Sequence, residues 1–138
     1  MRRVSKHMNI REAHISVVPH KEQEYDTVGN WKLSHYDGED CLDITVSDMG
    51  DWRYNMAVAL HEMSEALLCA QHGVSEAKVT AFDVKYEAKR KKGDESEPGD
   101  SPQAPYHLEH SFATAIERIF MAACGLNWKK YNDTVEKL

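Results

Sequence analysis

The chain has too few cysteines to staple itself together, and none at a spacing that chelates. Cys41, Cys69 and Cys124 are odd in number and form no C-x-x-C pair, which excludes a disulfide framework or a cysteine zinc knuckle. Cys69 and Cys124 sit in apolar segments and read as small buried hydrophobes. Basic charge is also scarce: 17 Lys and Arg stand against 23 Asp and Glu, for a formal net charge of -6. Phosphate binders concentrate Lys and Arg on one face, so no nucleic-acid partner is expected. The only basic clusters are Arg2, Arg3 and Lys6, and Lys89-Arg90-Lys91-Lys92. The second runs directly into Asp94, Glu95 and Glu97 and reads as a solvated loop. No apolar run approaches the ~20 residues that cross a bilayer, and the Arg2-Arg3 opening lacks the apolar core of a secretory signal. The expectation is a soluble, cytoplasmic protein with no membrane partner.

What is present suits one domain over residues 1–138, because 138 residues that are 41% hydrophobic can build one core under a thick polar shell. The first fifty residues favour strands. "HISVV" (14–18), "NWKLSHY" (30–36) and "CLDITVSD" (41–48) are β-rich runs, and in the last Leu42, Ile44 and Val46 alternate with polar neighbours. "YDGED" (36–40) is a turn signal that joins the second and third as a hairpin. These features predict a small antiparallel sheet.

From Met49-Gly50 onward the period becomes helical. Asp48 or Asp51 can cap the start, and Gly73 stops the helix. Residues 77–87 are compatible with either a strand or a short helix. Residues 92–105, rich in Gly, Pro, Ser and acids, read as a mobile loop. Pro105 suits the opening of a second long helix that runs to about Ala123, and the end from Asn127 reads as a short helix docking through Trp128 and Tyr131. The fold class expected is α+β, a sheet followed by two long packed helices and a short C-terminal one.

On the first long helix, Met56, Leu60, Met63 and Leu67 share one face and predict its core stripe; on the second, Leu108, Phe112, Ala115 and Ile119 do the same. His61 and Glu65 lie one turn apart on nearly the opposite side, among Tyr54, Val58, Leu68 and Cys69. A histidine and a carboxylate on a covered face need a partner, because an unpaired buried charge is very costly. The simplest account is that the pair satisfies itself. The second helix, however, opens with "YHLEH" (106–110) and carries His110 and Glu117 on a flank lined by Ala113 and Thr114, small enough for close helix approach. His61, Glu65 and His110 can thus meet as a His-Glu-His set, for which zinc is the first choice because it accepts two imidazoles and a carboxylate while keeping a fourth position for water. His107 and Glu117 are the second choice, as ligand or as partner of a ligand. His72, about 16 Å along the helix from His61, is too far to share an ion with it.

With "ALHEMSEALLCAQHG" (59–73) the chain resembles the zincin metallopeptidases, whose helix carries H-E-x-x-H; here Glu65 stands in place of the second histidine. The resemblance implies His61 as a ligand, Glu62 as the base that activates a metal-bound water, and an edge strand such as Cys41 to Asp48 aligning a peptide or protein substrate. A looser resemblance is to small uncharacterised proteins of bacteriophages. Two other classes stand beside it. One is a non-enzymatic interaction protein with a structural metal or buried His/Glu network. The other, from the E-x-x-E of Glu62 and Glu65, is a magnesium-dependent all-α nucleotide pyrophosphohydrolase.

Overall fold

A computed structural model describes residues 8–138; His7 and the Arg2, Arg3, Lys6 cluster lie outside the described residues. Three strands, β1 (Ile10–Val18), β2 (Gly29–Tyr36) and β3 (Glu39–Ser47), precede four helices: α1 (Trp52–His72), α2 (Glu76–Ala88), α3 (His107–Ala123) and α4 (Trp128–Glu136). The fold is α+β, and among the described residues no helix is long and apolar enough to cross a membrane.

The β2–β3 hairpin closes through Asp37 and Gly38, with φ of 51° and 75°. Two successive positive φ values match the twist of a two-residue hairpin, which explains why the D-G pair sits there. Leu42, Ile44 and Val46 of β3 turn inward and are fully buried, each removing a side chain from water at a gain of about 1.5–3 kcal/mol. The sheet is not purely antiparallel as expected. Its order is β1-β3-β2, and β1 pairs with β3 in parallel. The chain from Pro19 to Val28 is long enough to carry β2 past the neighbouring position, so the hairpin returns β3 into the middle, alongside β1. β3 is therefore central, and the strands with a free edge are β1 and β2.

α1 begins where Asp51 caps it, its side chain accepting from the Arg53 N–H at 2.9 Å, and ends at Gly73 in the left-handed region at φ 71°. It packs on β2 and β3 with one side and on α3 with the next. Ala57, Ala59 and Ala66 are buried, and their small size permits close approach on both sides. The ambiguous segment 77–87 lies in α2, capped by Ser75 onto the Lys78 N–H. The loop between α2 and α3 contains a 3-10 turn (Pro98–Asp100) packed on both, with Gly99 and Ala104 buried.

The apolar stripe of α3 faces the opposite way from the expectation, and that of α1 meets it only in part, through Met56 and Met63, which pack against the core. On α1 the buried positions are Asn55, Ala57, Val58, Ala59, His61, Glu65, Ala66 and Cys69, while Met56, Leu60 and Met63 are half-buried and Leu67 is exposed. On α3 the buried positions are Glu109, His110, Ala113, Glu117 and Met121, and Leu108, Phe112, Ala115 and Ile119 are exposed. The polar faces are turned inward because they satisfy one another there.

Candidate metal centre

α1 and α3 run antiparallel, since His61 meets Glu117 while His72, further along α1, meets Glu109 at 3.5 Å. Between them three ligand atoms converge. His61 Nε2 lies 3.3 Å from Glu65 Oε2 and 3.2 Å from His110 Nδ1, and His110 Nδ1 lies 3.0 Å from the same Glu65 oxygen. All three residues are buried, at 7%, 5% and 5% exposure. Tetrahedral bonds of ~2.0–2.1 Å to zinc would set neighbouring donors about 3.3 Å apart. The triangle is close to that size, and its donor set is one zinc accepts.

Each ligand is also held by its far atom. His61 Nδ1 donates to Glu117 Oε1 at 2.8 Å, and Glu117 Oε2 accepts from the Tyr131 hydroxyl at 2.5 Å. This carboxylate–histidine pairing fixes which ring nitrogen is free. Trp31 Nε1 donates to Glu65 Oε1 at 3.1 Å. His110 Nε2 faces Glu97 Oε2 at 3.0 Å and Asp100 Oδ1 at 3.2 Å. Gly99 lies flat against the His110 ring, where a Cβ would overlap its atoms. His107 is not part of the triangle; its Nδ1 bonds the Gly99 carbonyl at 2.9 Å.

The electrostatics follow from burial working against pairing. Burial alone would raise the Glu65 carboxyl, but hydrogen bonds from His110 and His61 outweigh it and hold it at about 2. Burial would lower both imidazoles. Glu117 and Glu65 instead raise His61 well above its ordinary value, and Glu65 and Glu97 raise His110 to about 10.

Glu62 is different. It lines a cleft of about 380 Å³ that also exposes His61, Glu65 and His110. It has no hydrogen-bond partner among the described residues, and burial, reinforced by the charge of Glu65, pushes it up to about 8. The start of β2 closes against it: a Cβ on Gly29 would come within 2.7 Å of Glu62 Cγ and of Val58 Cγ1. Across the cleft, Asp83 accepts from the hydroxyls of Tyr106 and Tyr25, and burial lifts it to about 6. Thr114 Oγ1, also on the lining, is buried with no partner among the described residues.

The strand beside the cleft is β2, not the central β3 expected to align a peptide. Sequence reasoning had no sign of Trp31, Gly99, Glu97, Asp100 or Tyr131 as partners of the ligands, since they come from β2, the 3-10 turn and α4, all outside the two helices that carry the ligands. Three further histidines among the described residues, to which the sequence assigns no role, pair away from the site. His20 bonds Ser47 Oγ at 2.8 Å, His14 faces Glu12 at 3.1 Å, and His35 pairs with Asp40. No protein-family model, curated protein or solved structure matches the chain.

Proposed function

We propose that the protein is a metal-dependent hydrolase of zincin-like type, cleaving peptide bonds with one divalent ion, zinc by donor chemistry, held by His61, Glu65 and His110. The observation that carries this reading is the triangle of donor atoms 3.0–3.3 Å apart, opening onto a cleft beside Glu62, which has no hydrogen-bond partner among the described residues. A bound divalent ion supplies Lewis acidity and lowers the pKa of a coordinated water towards ~7.

The chain's own residues do the rest. Glu62, lifted to about 8, is poised to exchange a proton near neutral pH: it takes one from the attacking water and returns it to the leaving amine. β2 positions the substrate. The Leu33 N–H points away from β3, to Glu76 Oε2 at 2.8 Å. By the two-residue period of a strand, the Trp31 main chain faces the same way, towards the cleft, where an extended peptide can pair with it. The cleft walls favour a basic segment, because Glu62, Asp83, Glu87, Glu95, Glu97 and Asp100 line it against one guanidinium, Arg118, which is itself stacked 4.2 Å from the Trp128 ring.

The test is hydrolysis of a lysine-rich peptide library by zinc-loaded protein. Cleavage by the wild type, lost in Glu62→Gln although zinc is retained, supports the reading; loss of zinc from Glu62→Gln makes Glu62 a ligand instead and contradicts it. A structural metal site is the second reading, favoured by the closure of Glu97 and Asp100 over His110. It predicts a zinc ion with no exchangeable water and no cleavage by either form.

A further inference from the structure

The inverted α3 stripe leaves an apolar surface, none of whose residues lines the cleft. On α3, Leu108, Phe112 and Ile119 are 56%, 55% and 69% exposed, with Ala115 and Ile116 between them. They recur every three to four residues along the whole helix, the spacing of a helix face made for burial. On α1, half-buried Leu60 and exposed Leu67 lie opposite the side that carries His61 and Glu65, while Met56 and Met63 on the same stripe pack partly against the core. Because the two helices run antiparallel and side by side, their stripes form one two-helix face.

We propose that this face is the interface of a homodimer, in which α1 and α3 of two copies pack as a four-helix bundle about a twofold axis. Three observations choose a second copy as the occupant. The first is charge. The chain carries a net -6, yet the acids of the two helices, Glu62, Glu65, Glu109 and Glu117, all turn inward or line the cleft. The stripe positions are uncharged, as are the flanking Ser64, Gln71 and Ser111, and the one cation on the α1 strip, Arg53, is paired with Asp51 at 2.7 Å. Two copies therefore meet there without like-charge repulsion, whereas a partner recruited by charge would find nothing to pair with.

The second is symmetry. An antiparallel helix pair is its own complement under a twofold axis, as an isologous contact requires. The third is area. A helix of 17 residues is about 25 Å long, and two abreast are about 20 Å wide. The face therefore offers on the order of 500 Å² per copy and about 1,000 Å² in total, the size at which a specific interface begins. None of the stripe residues lines the cleft, so both sites of a dimer stay accessible.

Sedimentation equilibrium of the full chain, from low micromolar to hundreds of micromolar, tests the proposal. Wild type should be dimeric across most of that range. Phe112→Glu and Ile119→Lys should each weaken association at least ~100-fold, and both should keep the wild-type far-ultraviolet circular dichroism, since an exposed position tolerates a charge. Should either charged variant unfold, Ile119→Ser replaces it, with the same expected loss of dimer at native circular dichroism. A wild type that is monomeric at every concentration overturns the proposal. So does a dimer untouched by all three variants, or a monomer that binds neutral phospholipid vesicles through this face.

Discussion

His61 Nε2 and His110 Nδ1 stand 3.2 Å apart, brought together from helices whose sequence positions differ by 49. Two imidazole nitrogens at that distance cannot both be bare without lone-pair repulsion. Either one carries a proton towards the other, or both turn to a third atom. Glu65 Oε2, 3.0 Å from His110 and 3.3 Å from His61, completes the triangle in which a cation relieves the conflict.

Metal binding should release protons. His110 sits at about 10 and His61 is raised above its ordinary value when no ion is present, so at neutral pH the imidazole pair holds protons that must leave before both rings ligate. Zinc affinity should rise with pH from about 6 to about 10. Calorimetry in two buffers of different ionisation enthalpy should report one to two protons released per ion at pH 7. Release of none would contradict the assignment of the donors.

The metal-free protein should have the opposite pH preference. Raised histidine pKa values stabilise the fold below the unfolded value of about 6.5, and that contribution is lost as pH climbs towards about 10. The lowered Glu65 stabilises above its unfolded 4.5, and that is lost as pH falls towards about 2. Thermal melts in chelator should therefore peak between about pH 4.5 and 6.5, and added zinc should move the optimum upward. A metal-free melting temperature that rises steadily from pH 6 to 9 would show the pairings to be wrong.

Gly99→Ala should be as damaging to metal binding as loss of a ligand's support. The added methyl meets the His110 ring, so the ring must turn or the 3-10 turn must lift. Zinc affinity should drop ~10- to 100-fold with the fold retained. Wild-type affinity in this variant would mean that the turn shifts freely and does not position His110.

The two histidines of "HLEH" separate cleanly. His110→Ala should reduce zinc affinity at least ~10-fold, while His107→Ala, which loses only a bond to the Gly99 carbonyl, should stay within about threefold of wild type. Tyr131→Phe and Glu117→Gln test the support of His61 in the same titration. Each should weaken zinc by roughly 10-fold or more, Glu117→Gln the more because it loses the charge that raises His61.

The sequence made the helical part of the site legible because helix geometry is local. His61 and Glu65 share a side by period alone, and so do His110 and Glu117, which the structure brings onto one nitrogen pair. Trp31, Glu97 and Asp100 reach the ligands across chain separations that no period encodes. The stripes of Leu108, Phe112 and Ile119 were misread for a physical reason: the rule that an apolar face points inward assumes that the polar face gains nothing from burial. Here the polar faces bury charges that pair with one another, and the apolar faces are left to the outside. β1 was misassigned as antiparallel because a run of short strands carries no record of which neighbour the hairpin will be inserted beside.

The most direct measurement is metal content, by mass spectrometry, of protein purified without an affinity tag and compared with Glu65→Ala. One zinc or similar divalent ion per chain in the wild type, absent from Glu65→Ala, with melting lowered by chelator, is the expected result. A wild type free of metal after zinc supplementation, melting identically with and without chelator, would contradict the metal centre and leave the triangle as a hydrogen-bond network alone.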